Sequence, residues 1–144
     1  MSLRPSLNAM PTPALLRALP LIAGLALGAP LARAADTSPA AQLARFTAEA
    51  AAPADAERGR AFFTSRQGGE WSCASCHGNP PTVTGQHAST GKSIKPLAPA
   101  VNPLAFTDSA RVDKWFRRNC NDVLKRECSA GEKADVLAWL TRLK

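Results

Sequence analysis

Methionine occurs only at positions 1 and 10 of the 144 residues. A metal held beyond that point therefore has no thioether ligand. Uninterrupted apolar runs fall short of the ~20 residues needed to span a bilayer, because Pro20 and Pro30 break the longest stretch. No segment alternates apolar and polar residues as a half-buried strand does. No internal repeat is visible, and the length suits one domain. Cysteine is limited to four, enough for two disulfides or for one cofactor site plus a bridge. A hydrophobic fraction of 45% excludes wholesale disorder.

The first 34 residues read as a processing segment. They contain Arg4, Arg17 and Arg33 and no acid, an apolar centre from Leu19 to Leu27, and the small-residue triplet Ala32-Arg33-Ala34. A basic start, an apolar stretch and A-x-A form a secretory signal, here expected to be cleaved after Ala34. No Arg-Arg pair precedes the apolar run, which argues against a twin-arginine route. Without these residues the formal charge falls from +7 to +4 and both methionines are gone. The expected product is residues 35–144, one periplasmic domain. Its modest charge and export make nucleic-acid binding a poor reading. An oxidising compartment also favours pairing of spare cysteines.

Helix signals dominate the rest. Ser38-Pro39 caps a helix over 39–51, with Leu43 and Phe46 three apart. Pro53-Ala54-Asp55 breaks it and starts a second helix over 54–65, carrying Gly59, Phe62 and Phe63. Residues 78–102 hold Pro80, Pro81, Pro96 and Pro99 and read as a long loop with a job. Thr107-Asp108-Ser109 opens a helix to about Val123, and Ser129-x-x-Glu132 is a capping box for a last helix with Ala134, Leu137, Leu140 and Leu143 at helical spacing. The expected fold class is all-α with long loops.

The chemistry lies in Cys73-Ala74-Ser75-Cys76-His77, a C-x-x-C-H motif. Two cysteines at this spacing can each form a thioether to one haem vinyl group, and the adjacent histidine is then placed as an axial iron ligand. A thioredoxin-like pair would need a βαβ setting. A zinc site would need a second closely spaced pair, and Cys120 and Cys128 are too far apart for it. The motif therefore predicts one covalent haem c on Cys73 and Cys76, with His77 on the iron.

The sixth ligand is not methionine. His87, a lysine, another nitrogen or oxygen donor, or an open position are the alternatives. His87 lies ten residues after His77 and reads as a surface-loop residue. Trp115, Phe116 and Asn119 share a helix face and could line a haem pocket, although an amide near a helix end is also a common cap. Cys120 and Cys128 are expected to form a disulfide.

Glu57-Arg58-Gly59-Arg60-Ala61-Phe62-Phe63 and Leu137-Ala138-Trp139-Leu140 resemble the terminal helices of class I cytochromes c, with Gly59, Phe63 and Trp139 in the roles of a close helix crossing. Lys114-Trp115-Phe116-Arg117-Arg118-Asn119-Cys120-Asn121, Cys128, Gly131-Glu132-Lys133-Ala134-Asp135, Pro53 to Arg60 and Pro96-Leu97-Ala98-Pro99 together resemble the sphaeroides haem protein family, a divergent class I branch. The resemblance implies that Asn119 binds ferric iron through its side-chain oxygen, leaves on reduction, and opens the iron to dioxygen or nitric oxide. The related cytochrome c″ branch has histidine at that position. The loop Gln86-His87-Ala88-Ser89 departs from the family pattern. The resemblance also implies a dihaem cytochrome c as electron donor with a membrane cytochrome b upstream. A carboxamide oxygen is a hard donor that suits ferric better than ferrous iron. A redox-gated electron-transfer and gas-binding protein is the leading expectation, with no catalytic residue assigned. An enzyme reducing dioxygen, peroxide or nitric oxide, or a plain electron shuttle, are the alternatives.

Overall fold

The computed structural model describes residues 35–144, so the expected leader lies outside the described residues. Five helices account for nearly all regular structure: α1 Pro39–Ala50, α2 Ala56–Thr64, α3 Cys73–His77, α4 Ser109–Leu124 and α5 Ala130–Leu140. Their ends are written locally. The Ser38 hydroxyl accepts the Ala41 N–H above Pro39, and a left-handed Ala51 stops α1 before Pro53. Asp55 accepts the N–H groups of Glu57 and Arg58, which moves the start of α2 from the expected Ala54 to Ala56. Asp108 caps α4 at the Arg111 N–H. Ser129 and Glu132 close the first turn of α5 reciprocally.

α5 is the centre. Every residue from Ala134 to Leu140 is buried, so its apolar character runs almost all round, as it must in a helix covered on several sides. Leu143, in phase with that stripe, falls beyond the helix and is only half-buried. α1 and α4 cover one side through Phe46, Val112, Ala134 and Leu137. α2 covers the other through Ala56, Phe63, Val136, Trp139 and Leu140. The α2–α5 crossing depends on Gly59. A Cβ there would lie 1.9 Å from the Asp135 carbonyl oxygen and 2.8 Å from the Val136 nitrogen, so backbone meets backbone. The buried Asp135 carboxylate fixes the crossing by accepting from the Asp55 N–H (2.6 Å) and from Arg58 Nε (2.7 Å) and a second Arg58 nitrogen (2.8 Å).

The long loop differs from expectation in one respect. It contains a small antiparallel ladder, β1 Gly85–Gln86 with β2 Ser93–Ile94, in the register Gly85 opposite Ile94 and Gln86 opposite Ser93. Two-residue strands have no room for alternation. The ladder is set by its turn, where Gly91 has a φ of +68° and the His87 N–H bonds to the Lys92 carbonyl. Among the described residues, no helix is long and apolar enough to cross a membrane.

Candidate functional site

α3 is one short helix carrying the whole C-x-x-C-H motif. Ser72 and Ser75 stabilise its start, with the Ser72 N–H donating to Ser75 Oγ at 3.0 Å. An aromatic path leads from the central helix to His77: Trp139 lies 5.0 Å from Phe63, and Phe63 6.2 Å from the imidazole, between ring centroids. Burial pushes the His77 pKa down to about 4, so the ring is neutral near pH 7 and keeps a lone pair for a metal. Its Nδ1 is buried and has no hydrogen-bond partner among the described residues. Burial also pushes the Cys73 thiol up to about 11. A reactive thioredoxin-like cysteine requires the opposite shift.

The hairpin leans on the back of this helix. A Cβ on Gly85 would lie 2.2 Å from the Cys76 carbonyl oxygen, and the Ala88 N–H approaches Cys76 Sγ at 3.4 Å. Gly85 is a site residue that sequence reading missed, because only the contact partner, distant in sequence, gives it meaning. His87 is held in the hairpin turn, its Nδ1 accepting from the Thr90 N–H and lying 3.3 Å from Ser89 Oγ.

Cys73, Ala74, Leu97, Phe106 and Phe116 pack on the same core cluster as Phe63 and Trp139, so α3, the loop and α4 converge there. The expected trio on α4 divides. Phe116 is half-buried and meets Phe46 edge-on at 5.6 Å. Asn119, half-buried one turn later, makes no side-chain hydrogen bond among the described residues. It does not cap α4, because Lys125 in left-handed conformation ends the helix. Trp115 is 46% exposed, with the Arg118 guanidinium 5.2 Å and the Lys114 ammonium 5.9 Å from its ring centroid. Directly after Asn119, Cys120 is disulfide-bonded to Cys128, tying the end of α4 to the segment that enters α5.

Two thiols outside any disulfide, three positions apart, and a buried neutral imidazole with an unpartnered nitrogen are a donor set that fits a covalently tethered haem. Among the described residues, no three His, Cys, Asp or Glu side chains gather to hold a metal unaided, which disfavours the zinc alternative.

A family model described as a domain of unknown function, DUF1924, matches residues 49–140. The chain is 56% identical over 124 residues to the cytochrome c-type protein SHP of Cereibacter sphaeroides, covering 83% of this chain and 95% of that one. It is 45% identical over 86 residues to cytochrome c″ of Methylophilus methylotrophus, covering 57% and 60%. Among solved structures, oxidised SHP, described as an oxygen-binding cytochrome c, superposes with a TM-score of 0.70 at 57% identity, over 75% of this chain and 99% of that one. Oxidised cytochrome c″ superposes with a TM-score of 0.64 at 36% identity, over 74% and 94%. With its helical core and C-x-x-C-H helix, the chain belongs to the SHP family of c-type cytochromes, proteins with covalently bound haem c.

Proposed function

We propose that this chain is a periplasmic monohaem cytochrome that transfers electrons and takes up dioxygen or nitric oxide when reduced, with Asn119 as the ligand that gates access. When bound, haem c would supply a one-electron iron couple and an iron able to take protein or gas ligands. Cys73 and Cys76 hold the group covalently, and a single C-x-x-C-H supports one haem per chain. Neutral His77 would supply a nitrogen ligand to its iron. Asn119 would be a second iron ligand in the ferric protein and a weak one in the ferrous protein, because its hard carboxamide oxygen is a poor donor to ferrous iron. Phe116, one turn before Asn119 on α4, packs on the core against Phe46.

The observation that carries this reading is the state of Asn119: a half-buried amide inside a helix, neither capping nor hydrogen-bonded among the described residues, in a chain with no methionine past position 10. The description of the related SHP structure as an oxygen-binding cytochrome c supports it. A dihaem cytochrome c is the proposed donor, with a membrane cytochrome b upstream. The test is an optical spectrum of wild type and Asn119→Ala, oxidised, reduced and under carbon monoxide. The variant should differ in the oxidised state and match wild type in the reduced state. Identical oxidised spectra would remove Asn119 as a ligand. A ferrous wild type blind to carbon monoxide would remove gas binding.

A further inference from the structure

The outward face of α4 carries four cations within eight residues: Arg111, Lys114, Arg117 and Arg118, all exposed. Residues 111, 114 and 118 follow one ridge of the helix, and 117 stands beside it. Arg111 has a distant partner in Asp108, at 3.9 Å. Among the described residues, no carboxylate pairs with Lys114, Arg117 or Arg118. The acids of α4 do not neutralise them: Asp113 is engaged by Arg45 at 2.6 Å, and Asp122, one turn past Arg118, forms no ion pair with it. Neighbouring like charges at three- and four-residue spacing destabilise a helix, so this face is stabilised by whatever brings negative charge to it. Val112 and Phe116 of α4 turn inward. Trp115, 46% exposed, has the Arg118 guanidinium and the Lys114 ammonium over its ring, so the stripe presents a single cation-covered aromatic rather than the broad apolar face an interfacial helix lays in a bilayer. The stripe also lies on the helix that carries Asn119.

We propose that Arg111, Lys114, Arg117 and Arg118 form the docking surface for the carboxylate-rich face of a redox-protein partner. The partner would give up one electron, and the haem iron, going from ferric to ferrous, would accept it. This rests on the redox reading above but not on Asn119 as a ligand. Opposite charge steers encounter and fixes orientation more than it adds affinity, so binding should weaken steeply with salt.

The test uses ferric holoprotein labelled with nitrogen-15 and poly-glutamate as the acidic probe, at low ionic strength. Amide shifts should concentrate in residues 110–118. Affinity should fall at least about tenfold in Lys114→Glu/Arg118→Glu, and by less in Lys114→Gln/Arg118→Gln. Lys92→Glu/Lys95→Glu on the hairpin should bind as wild type does. Asn119→Ala should also bind normally, which separates this proposal from the gating one. Shifts centred on the hairpin, or loss of binding in the hairpin variant alone, would overturn the proposal. So would stripe-dependent binding to phosphatidylglycerol vesicles without binding to poly-glutamate, which would assign the surface to lipid.

Discussion

The helical frame of α1, α2 and α5 and the segment from Trp71 to Thr107 are built by different physics. In the frame, side-chain caps close the helix starts, carboxylates pair with arginines, and the central helix is wrapped on several sides. The segment between carries the C-x-x-C-H helix and the hairpin, and none of the 11 acidic residues of the chain falls within it. It is held by backbone approach and turn hydrogen bonds instead, such as Gly85 on Cys76 and Leu97 to Pro81. Ionic locks stabilise the frame. The same division separates what a thermal melt reports from what a haem spectrum reports.

The largest effect should come from Gly59→Ala. The added Cβ has no room against the α5 backbone, and the helix pair must separate, at about 3 kcal/mol or more. Circular dichroism melts would show it, and an unchanged melting temperature would mean the crossing is looser than described. Replacing Cys120 and Cys128 by serine should cost about 2–3 kcal/mol in the chain-entropy model. It should also alter the ferric spectrum through Asn119, and an unaltered spectrum would leave the bridge a plain staple. Gly85→Ala should reverse the pattern, with a small change in melting temperature and a shifted haem spectrum. A melt that moves as far as that of Gly59→Ala would erase the distinction between frame and loop.

The smallest effect concerns acid. The Arg126 guanidinium beside Glu132, with the Ser129 N–H, holds that carboxyl below its usual value of 4.5. A depressed folded pKa stabilises above the unfolded value, and the contribution is lost as pH falls through the lower folded one. Stability should therefore decline below about pH 4.5, and less steeply in Arg126→Gln. Identical acid profiles would show that the pair contributes nothing.

What was legible in the sequence followed from short range. Ser38-Pro39, Asp55, the Ser129–Glu132 box and C-x-x-C-H act within one turn, and their residues declare themselves. Gly59 was also readable, through its likeness to a known helix crossing. The hairpin was not, because its strands are two residues long. Asp135 looks like any surface acid on a helix until the N-terminus of α2 arrives above it. Trp115 and Phe116 are adjacent on one helix, yet only Phe116 meets a partner in the core, Phe46 of α1, and no local pattern encodes that choice.

α4 is fastened at both ends. At its start, the Ser109 N–H donates to the Asp36 carboxylate and Gln42 Nε2 donates to Ser109 Oγ; at its end, Cys120 is bonded to Cys128. A helix pinned in this way does not slide, so the freedom left to Asn119 is rotation about its own side-chain bonds. Such rotations of partly exposed side chains take picoseconds to nanoseconds, whereas moving a helix takes microseconds or longer. The proposed gate would add no slow step of its own, and arrival of a small ligand would be timed by diffusion and by exchange at the ligand position.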